Sequence, residues 1–278
     1  MTLSTEELTK KATQARRQII ETVHYAGAGH VGGPMSAIDL LIYLYFKEMN
    51  IDPSNPRGED RDRFVLSKGH SAIGLYSVLA LRGFMPVEEL KTFDALNSRL
   101  QAHPDMNTLP GLDMSTGSLG QGISAAVGIA LGAKLQKKYF RTYCIIGDGE
   151  SQEGQVWEAA DIAPKYKLDN LVVILDYNKL QQFGWNAEEG NRKIPVNEPQ
   201  TRWEAFGWNV ITIDGHNFNE IEAAFKLAKE VKGKPTIIIA NTVKGKGVSF
   251  MENEFLWHSR VPTDEELHDA LTELSVEG

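Results

Sequence analysis

Cys144-Ile145-Ile146-Gly147-Asp148-Gly149-Glu150-Ser151-Gln152-Glu153-Gly154, with Leu171-Val172-Val173-Ile174-Leu175-Asp176-Tyr177-Asn178 after it, decides the fold. Both stretches share one grammar. A β-branched apolar run long enough for a buried strand ends in a polar residue, and a turn or helix follows. Ligands of open α/β sheets bind at the carboxyl ends of strands, so Asp148 and Asn178 belong to one crevice. Carboxylate, amide and carbonyl oxygens are hard donors, suited to Mg²⁺ or Ca²⁺ rather than zinc. Mg²⁺ keeps few protein ligands and fills its shell with water and phosphate oxygens, so this sparse site implies a phosphate-bearing ligand. Gly147 and Gly149 let the backbone approach closely, and amides at the helix start that follows carry about half a positive charge toward an anion. A diphosphate is the natural occupant. The bland alternative is a common Asp-Gly turn; the second strand, Asn178 and the long segment from Glu153 to Lys167 favour the site.

Outward from this pair, Phe64-Val65-Leu66, Val210-Ile211-Thr212-Ile213 and Thr236-Ile237-Ile238-Ile239-Ala240 complete a set of strands. Helical spacing runs from Ser4 through Leu8, Ala12, Ala15, Ile19 and Val23 and ends at Gly27. A second helix is expected from Ser36, capped by its hydroxyl and apolar nearly all round. Another covers residues 73–81 and stops at Gly83, and Pro86 opens one more. Residues 94–119 read as a long loop, a length usually reserved for function. A small-residue helix covers residues 120–138, and helices near 199–206 and 219–231 alternate with the late strands. The expected fold is a doubly wound, mostly parallel α/β sheet with helices on both faces, formed by residues 1–278 as one domain.

A chain of 278 residues buries a substantial core, and 42% hydrophobic with 24% charged residues is ordinary for a globular protein. A net charge of −8 argues against nucleic acid or an anionic membrane as partner. The single cysteine, Cys144, excludes an intramolecular disulfide and reads as a small buried hydrophobe. No apolar signal core or run of 18 apolar residues occurs, so a cytoplasmic location is expected. No Gly-x-Gly-x-x-Gly turn follows an early strand, which disfavours a nicotinamide dehydrogenase. A non-catalytic binding protein would not need so many polar loop residues. An isolated histidine is more often structural than functional. His30, His70, His103 and His258 differ in lying in Gly- or Pro-containing loops, where binding residues concentrate. His24, His216 and His268 carry no such signal and read as structural.

Gly147-Asp148-Gly149 followed at this distance by Asn178 resembles the cofactor motif of thiamine-diphosphate enzymes. Nearly the whole chain resembles the diphosphate-binding half of transketolases. The resemblance implies that Asp148, Asn178 and the Leu180 carbonyl hold Mg²⁺, or Ca²⁺ or Mn²⁺ in its place. Ala28-Gly29-His30 is similar to the family's sugar-contacting segment, Ser67-Lys68-Gly69-His70 to one that contacts thiamine diphosphate, and His103-Pro104 to the loop lining the substrate channel. Gly117-Ser118-Leu119-Gly120-Gln121-Gly122 resembles the cofactor-contacting turn, Gly149 a diphosphate contact, and Lys244 and His258 the late loop that closes over the diphosphate. Glu153 resembles a carboxylate between the two active sites of a dimer. By that resemblance His30, His103, His258 and Glu153 are the catalytic candidates, and His70, Gly117, Ser118, Leu119, Gly149, Asn178, Lys244 and His258 the cofactor-binding ones. Val31-Gly32-Gly33-Pro34 departs from the other small or hydroxyl residues of several transketolases.

The family's pyrimidine-binding and carboxy-terminal domains have no counterpart in this sequence. The resemblance therefore implies the amino-terminal subunit of a split transketolase, paired with a separate carboxy-terminal chain as a heterotetramer. It would move a two-carbon ketol unit between sugar phosphates. A pentose phosphate and a branched or sulfonated sugar both remain open as substrates. Another thiamine-diphosphate enzyme, acting on a different sugar or a 2-keto acid, is the rival.

Overall fold

The apolar runs become strands β1 (Arg63–Leu66), β2 (Thr142–Gly147), β3 (Leu171–Tyr177), β4 (Asn209–Asp214) and β5 (Thr236–Asn241). The computed structural model describes residues 3–182 and 198–275. The strands form one sheet in the order β1-β2-β3-β5-β4, and every neighbouring pair is parallel. Successive side chains alternate between faces, as pleating requires. Tyr143, Ile145, Val172 and Ile174 enter one core, while Cys144, Ile146, Val173 and Leu175 enter the other. Two apolar faces require two helical layers.

The helices are α1 (Thr5–Ala26), α2 (Gly32–Tyr43), α3 (Ala72–Arg82), α4 (Gln121–Leu135), α5 (Gly154–Lys165), α6 (Pro199–Ala205), α7 (Phe218–Glu230) and α8 (Asp264–Glu273). Residues of α1, α2, α3 and α7 share the first core, and those of α4, α5 and α6 share the second. The doubly wound expectation holds. At the start of α1 the Glu7 amide donates to Ser4 Oγ at 3.2 Å and the Ser4 amide to Glu7 Oε2 at 2.7 Å. That reciprocal cap satisfies two orphan donors. Gly27, at φ 65°, closes the other end in the left-handed region, and His30 follows within three residues.

Two local expectations fail. Helix α2 begins at Gly32, four residues before Ser36, and all of its residues are buried. Pro34 lacks an N–H and has a preset φ, so the first turn accommodates it and the helix starts ahead of it. Ser36 is consequently interior; its hydroxyl sits 2.9 Å from the Gly33 carbonyl and 2.6 Å from the Asp176 carboxylate, and caps nothing. After Pro86 the chain makes only a six-residue 3₁₀ stretch, Val87–Thr92. So short a run does not offset the cost of α-helix nucleation.

Residues 93–120 contain turns but no helix or strand. The loop is nonetheless fixed, because Thr116 Oγ1 donates to the Leu66 carbonyl at 2.6 Å and Tyr76 donates to the Gln101 carbonyl at 2.9 Å. It then enters α4, whose first turn lies against the exit of β1. A Cβ on Gly122 would lie 2.6 Å from Ser67 Cα, whereas one on Gly128 would meet nothing within 4 Å. Helix propensity alone favours alanine over glycine by about 1 kcal/mol at either position. Gly128→Ala should therefore stabilise the protein by roughly that amount in urea unfolding, and Gly122→Ala should destabilise it by about 1–3 kcal/mol through overpacking.

Candidate active site

The strand ends converge on a buried ion pair. Lys68, in the turn leaving β1, is 2% exposed; its Nζ contacts the Asp176 carboxylate and donates to the Gly33 carbonyl at 2.9 Å. Asp176, completely buried at the end of β3, also receives Ser36, the Thr242 hydroxyl and, at 3.3 Å, the Asn178 amide. Burial pushes this carboxyl up, but the Lys68 ammonium and the hydroxyls outweigh it and hold it below the ordinary aspartate range. Glu150 makes a second knot: Oε1 accepts from Ser67 Oγ at 2.5 Å and the Gly120 amide at 2.8 Å, and Oε2 accepts from the Gly147 amide at 3.0 Å. Three segments distant in sequence are thereby locked at one end of the sheet.

Above these knots lies a cleft of about 480 Å³. Its lining includes His30, His70, His103 and His258, the backbone of Gly117 and Gly149, Leu119, Glu153, and Asp148 with Asn178 and Leu180. The His30 ring centroid is 5.1 Å from His70, 5.2 Å from His258 and 6.4 Å from His103. Burial, with His103 and the nearby lysines, lowers the His30 pKa to about 4; burial and Lys244 lower that of His258 to about 3. His70 also falls well below 6.5, first through burial and then through Lys68. These three imidazoles are neutral at pH 7, so each has one nitrogen able to accept a proton and one able to donate.

Lys244 completes the floor. It is 2% exposed, and Nζ lies 2.9 Å from His258 Nδ1 and 3.4 Å from the Leu180 carbonyl. An ammonium has no acceptor, so His258 Nδ1 receives this bond and its proton resides on Nε2. Burial lowers the Lys244 pKa. The supporting loop is tight: the Gly245 amide donates to the Gly32 carbonyl at 3.0 Å, and a Cβ on Gly32 would lie 2.8 Å from Lys244 Cγ.

Asp148 is 4% exposed, and its two oxygens accept backbone amides from Gly149 and Lys179. Burial, and after it the Asp176 charge, push its carboxyl up, against the two amides and Lys244. Asn178 Oδ1 accepts the Leu180 amide at 3.1 Å, and the Leu180 carbonyl faces Lys244. A buried carboxylate beside an amide oxygen and a backbone carbonyl is a donor set that fits a hard divalent cation.

The predicted site residues thus gather around one cleft, with one exception. Ser118 is exposed and does not line it. Three functional-looking side chains escape a reading of the sequence: Lys68, Asp176 and Glu150. Each lies within a segment that stands out for other residues, and the available signal is a charged residue at the carboxyl end of a strand. Glu153, expected between the two active sites of a dimer, is exposed on the lining of the cleft, and its Cβ lies 2.8 Å from where a Cβ on Gly120 would fall.

A parallel sheet whose strand ends bring buried ammonium groups, neutral imidazoles and hard oxygen donors to one cleft defines an anion-binding α/β enzyme domain. The chain belongs to the transketolase family: residues 8–277 match the family described as the transketolase thiamine diphosphate binding domain. It is 46% identical over 272 residues to the 6-deoxy-6-sulfo-D-fructose transketolase subunit of Clostridium sp. strain MSTE9, with 98% of each chain covered. It is 40% identical to an apulose-4-phosphate transketolase subunit of Phocaeicola vulgatus, covering 98% of this chain and 95% of that one. The crystal structure of Campylobacter jejuni transketolase superposes with a TM-score of 0.90 at 34% identity, covering 98% of this chain but 43% of that one. The chain thus spans under half of that transketolase and nearly all of the two subunits. Among the described residues, no helix is long and apolar enough to cross a membrane.

Two measurements test the electrostatics. Because the unfolded histidines bind protons near pH 6.5 and the folded ones only near 4 and 3, the unfolded state gains protons first as pH falls. Stability should therefore drop from about pH 6.5 downward, by up to about 1.4 kcal/mol per pH unit per histidine, and His30→Gln or His258→Gln should flatten that slope in urea titrations. Lys68→Met strands Asp176 without its cation, and should cost about 3–5 kcal/mol of unfolding free energy.

Proposed function

We propose that this chain is the amino-terminal, diphosphate-binding subunit of a split transketolase. It transfers a two-carbon ketol unit from a ketose phosphate to an aldose or aldose phosphate when joined to a chain carrying the pyrimidine-binding and carboxy-terminal domains. The observation that carries this reading is the end-to-end match with relatives named as transketolase subunits, where the Campylobacter jejuni enzyme is more than twice as long. The assembly on this reading is a heterotetramer with two copies of each chain, working in the cytoplasm. The names of the two subunit relatives favour phosphorylated or sulfonated sugars as substrates.

Asp148, Asn178 and the Leu180 carbonyl would hold Mg²⁺, and Gly149 and the Lys244 ammonium would meet the diphosphate oxygens beside it. Thiamine diphosphate, when bound, supplies the nucleophilic carbon that carries the two-carbon unit. His70, Gly117 and Leu119 would orient it across the cleft. His30, His103 and His258 act on the sugar, and the neutral imidazoles of His30 and His258 can accept a hydroxyl proton and return it to a carbonyl oxygen. Lys244 keeps His258 in the tautomer whose Nε2 carries the proton. Glu153, exposed at the mouth, is assigned to the boundary between neighbouring sites.

The test begins with affinity capture of the tagged chain from its native lysate in thiamine diphosphate and Mg²⁺. An equimolar second chain bearing the missing domains is the expected result, and recovery of this chain alone would reject the split enzyme. In the complex, Asp148→Ala should abolish Mg²⁺-dependent cofactor binding, and unchanged affinity would sink the metal assignment. His258→Ala should lower kcat by about 10²–10⁴-fold with little change in cofactor affinity; the reverse pattern would remove it from proton transfer.

A further inference from the structure

His216, outside the cleft, joins the helical layer to the segment that carries Lys244. Its Nδ1 lies 2.6 Å from Asp39 Oδ2, and its Nε2 lies 2.9 Å from the Val243 amide nitrogen. An amide can only donate, so Nε2 is the bare nitrogen and Nδ1 carries the proton to Asp39. Both ring nitrogens are committed. Asp39, on α2, is itself held by the Arg16 guanidinium of α1, at 2.6 Å to Oδ2 and 3.2 Å to Oδ1. Arg16 further donates to the Met35 carbonyl at 3.3 Å, and its Cδ lies 3.1 Å from where a Cβ on Gly247 would fall. Burial pushes the Asp39 carboxyl up, but Arg16 and His216 together hold it below the ordinary range. The anion that orients the imidazole is therefore ionised.

We propose that His216 is a positioning residue: it fixes the 242–247 segment, and with it the Lys244 ammonium, at the floor of the cleft. The two residues beside Lys244 are each tied down, Val243 by His216 and Gly245 by the Gly32 carbonyl. Lys244 is thus clamped from both flanks. The Gly32 tie belongs to the α2 start, and the His216 tie reaches the same helix through Asp39, so both flanks report to one rigid element. A long, flexible side chain that must stay buried in one place needs such a clamp, because lysine gives up much rotamer freedom when held.

Two substitutions separate the two bonds of the ring. Asn at 216 retains a donor where Nδ1 sits but has no acceptor for the Val243 amide, whereas Gln reaches that amide with its side-chain oxygen. In hydrogen–deuterium exchange of the full chain, His216→Asn should raise exchange across residues 242–247 about five- to tenfold, the loss expected for one hydrogen bond. Residues 15–23 of α1 should be unchanged, and His216→Gln, which keeps the bond to the Val243 amide but not the one to Asp39, should recover part of the protection. Parental exchange in His216→Asn would overturn the proposal. So would equal loosening in His216→Gln, or acceleration spread evenly over the whole chain, which would mark a purely structural role. This readout needs no ligand. The link to function rests on the assignment of Lys244 to the diphosphate and is read separately, from thiamine diphosphate binding with Mg²⁺ in His216→Asn and Lys244→Met. Loosening of the segment while Lys244→Met binds normally would uphold the clamp and remove Lys244 from the cofactor site.

Discussion

The contact between Lys68 and Asp176 is the constraint on which the site depends. Removing two charges from water is costly, and a well-packed apolar pair of similar volume would serve stability as well or better. The pair earns its place through direction. Its partners are the Gly33 carbonyl, Ser36, Asn178 and Thr242, so one carboxylate and one ammonium tie the start of α2 to the ends of β1, β3 and β5. Apolar packing is nondirectional and would leave those ends free to slide. Asn178 and Lys244 lie close in sequence to the ends of β3 and β5 held in this way, and Asp148 follows β2, whose end Glu150 fixes through the Gly147 amide.

The same burial that makes the knot strong sets the protonation of the cleft. Two lysines beneath the histidines, both nearly inaccessible, make a second positive charge on imidazole unfavourable, and desolvation works in the same direction. The cationic floor suits an anion, and the neutral rings above it suit proton exchange. These properties arise from one arrangement: lysines carry the charge so that histidines need not.

The fold was largely legible in the sequence because strands buried on both faces read as unbroken apolar runs, as in Tyr143 to Ile146 and Val172 to Leu175, and because polar residues at the ends of such runs mark the ligand side. Asp148 and Asn178 were singled out by that logic and the loop histidines by their Gly- and Pro-containing surroundings, both strengthened by family resemblance. What escaped was long-range partnership. A lysine after a short strand has no distinctive local pattern, and Lys68 becomes informative only when Asp176 is seen beside it. His216 looked structural for the same reason, since its two partners lie on α2 and after β5. The misplaced start of α2 shows the converse: Ser36 has the right chemistry for a cap, but its hydroxyl is drawn to Asp176.

The strand order also dictates how such a chain reaches its folded state. Arg63 pairs with Thr142, across roughly 80 residues, while Thr142 pairs with Leu171 and Asn209 with Thr236, each across roughly 30. Closing the longer span costs about 0.9 kcal/mol more in chain entropy, and the four-residue strand at its end offers few hydrogen bonds in return. Loop closure thus favours the β2–β3 and β4–β5 pairs first, and the β1–β2 and β3–β5 pairings, the latter across roughly 64 residues, join them afterwards. The Lys68–Asp176 contact spans 108 positions and needs β1 beside β2 and β3, so the cleft assembles late, after the local strand pairs on which it stands.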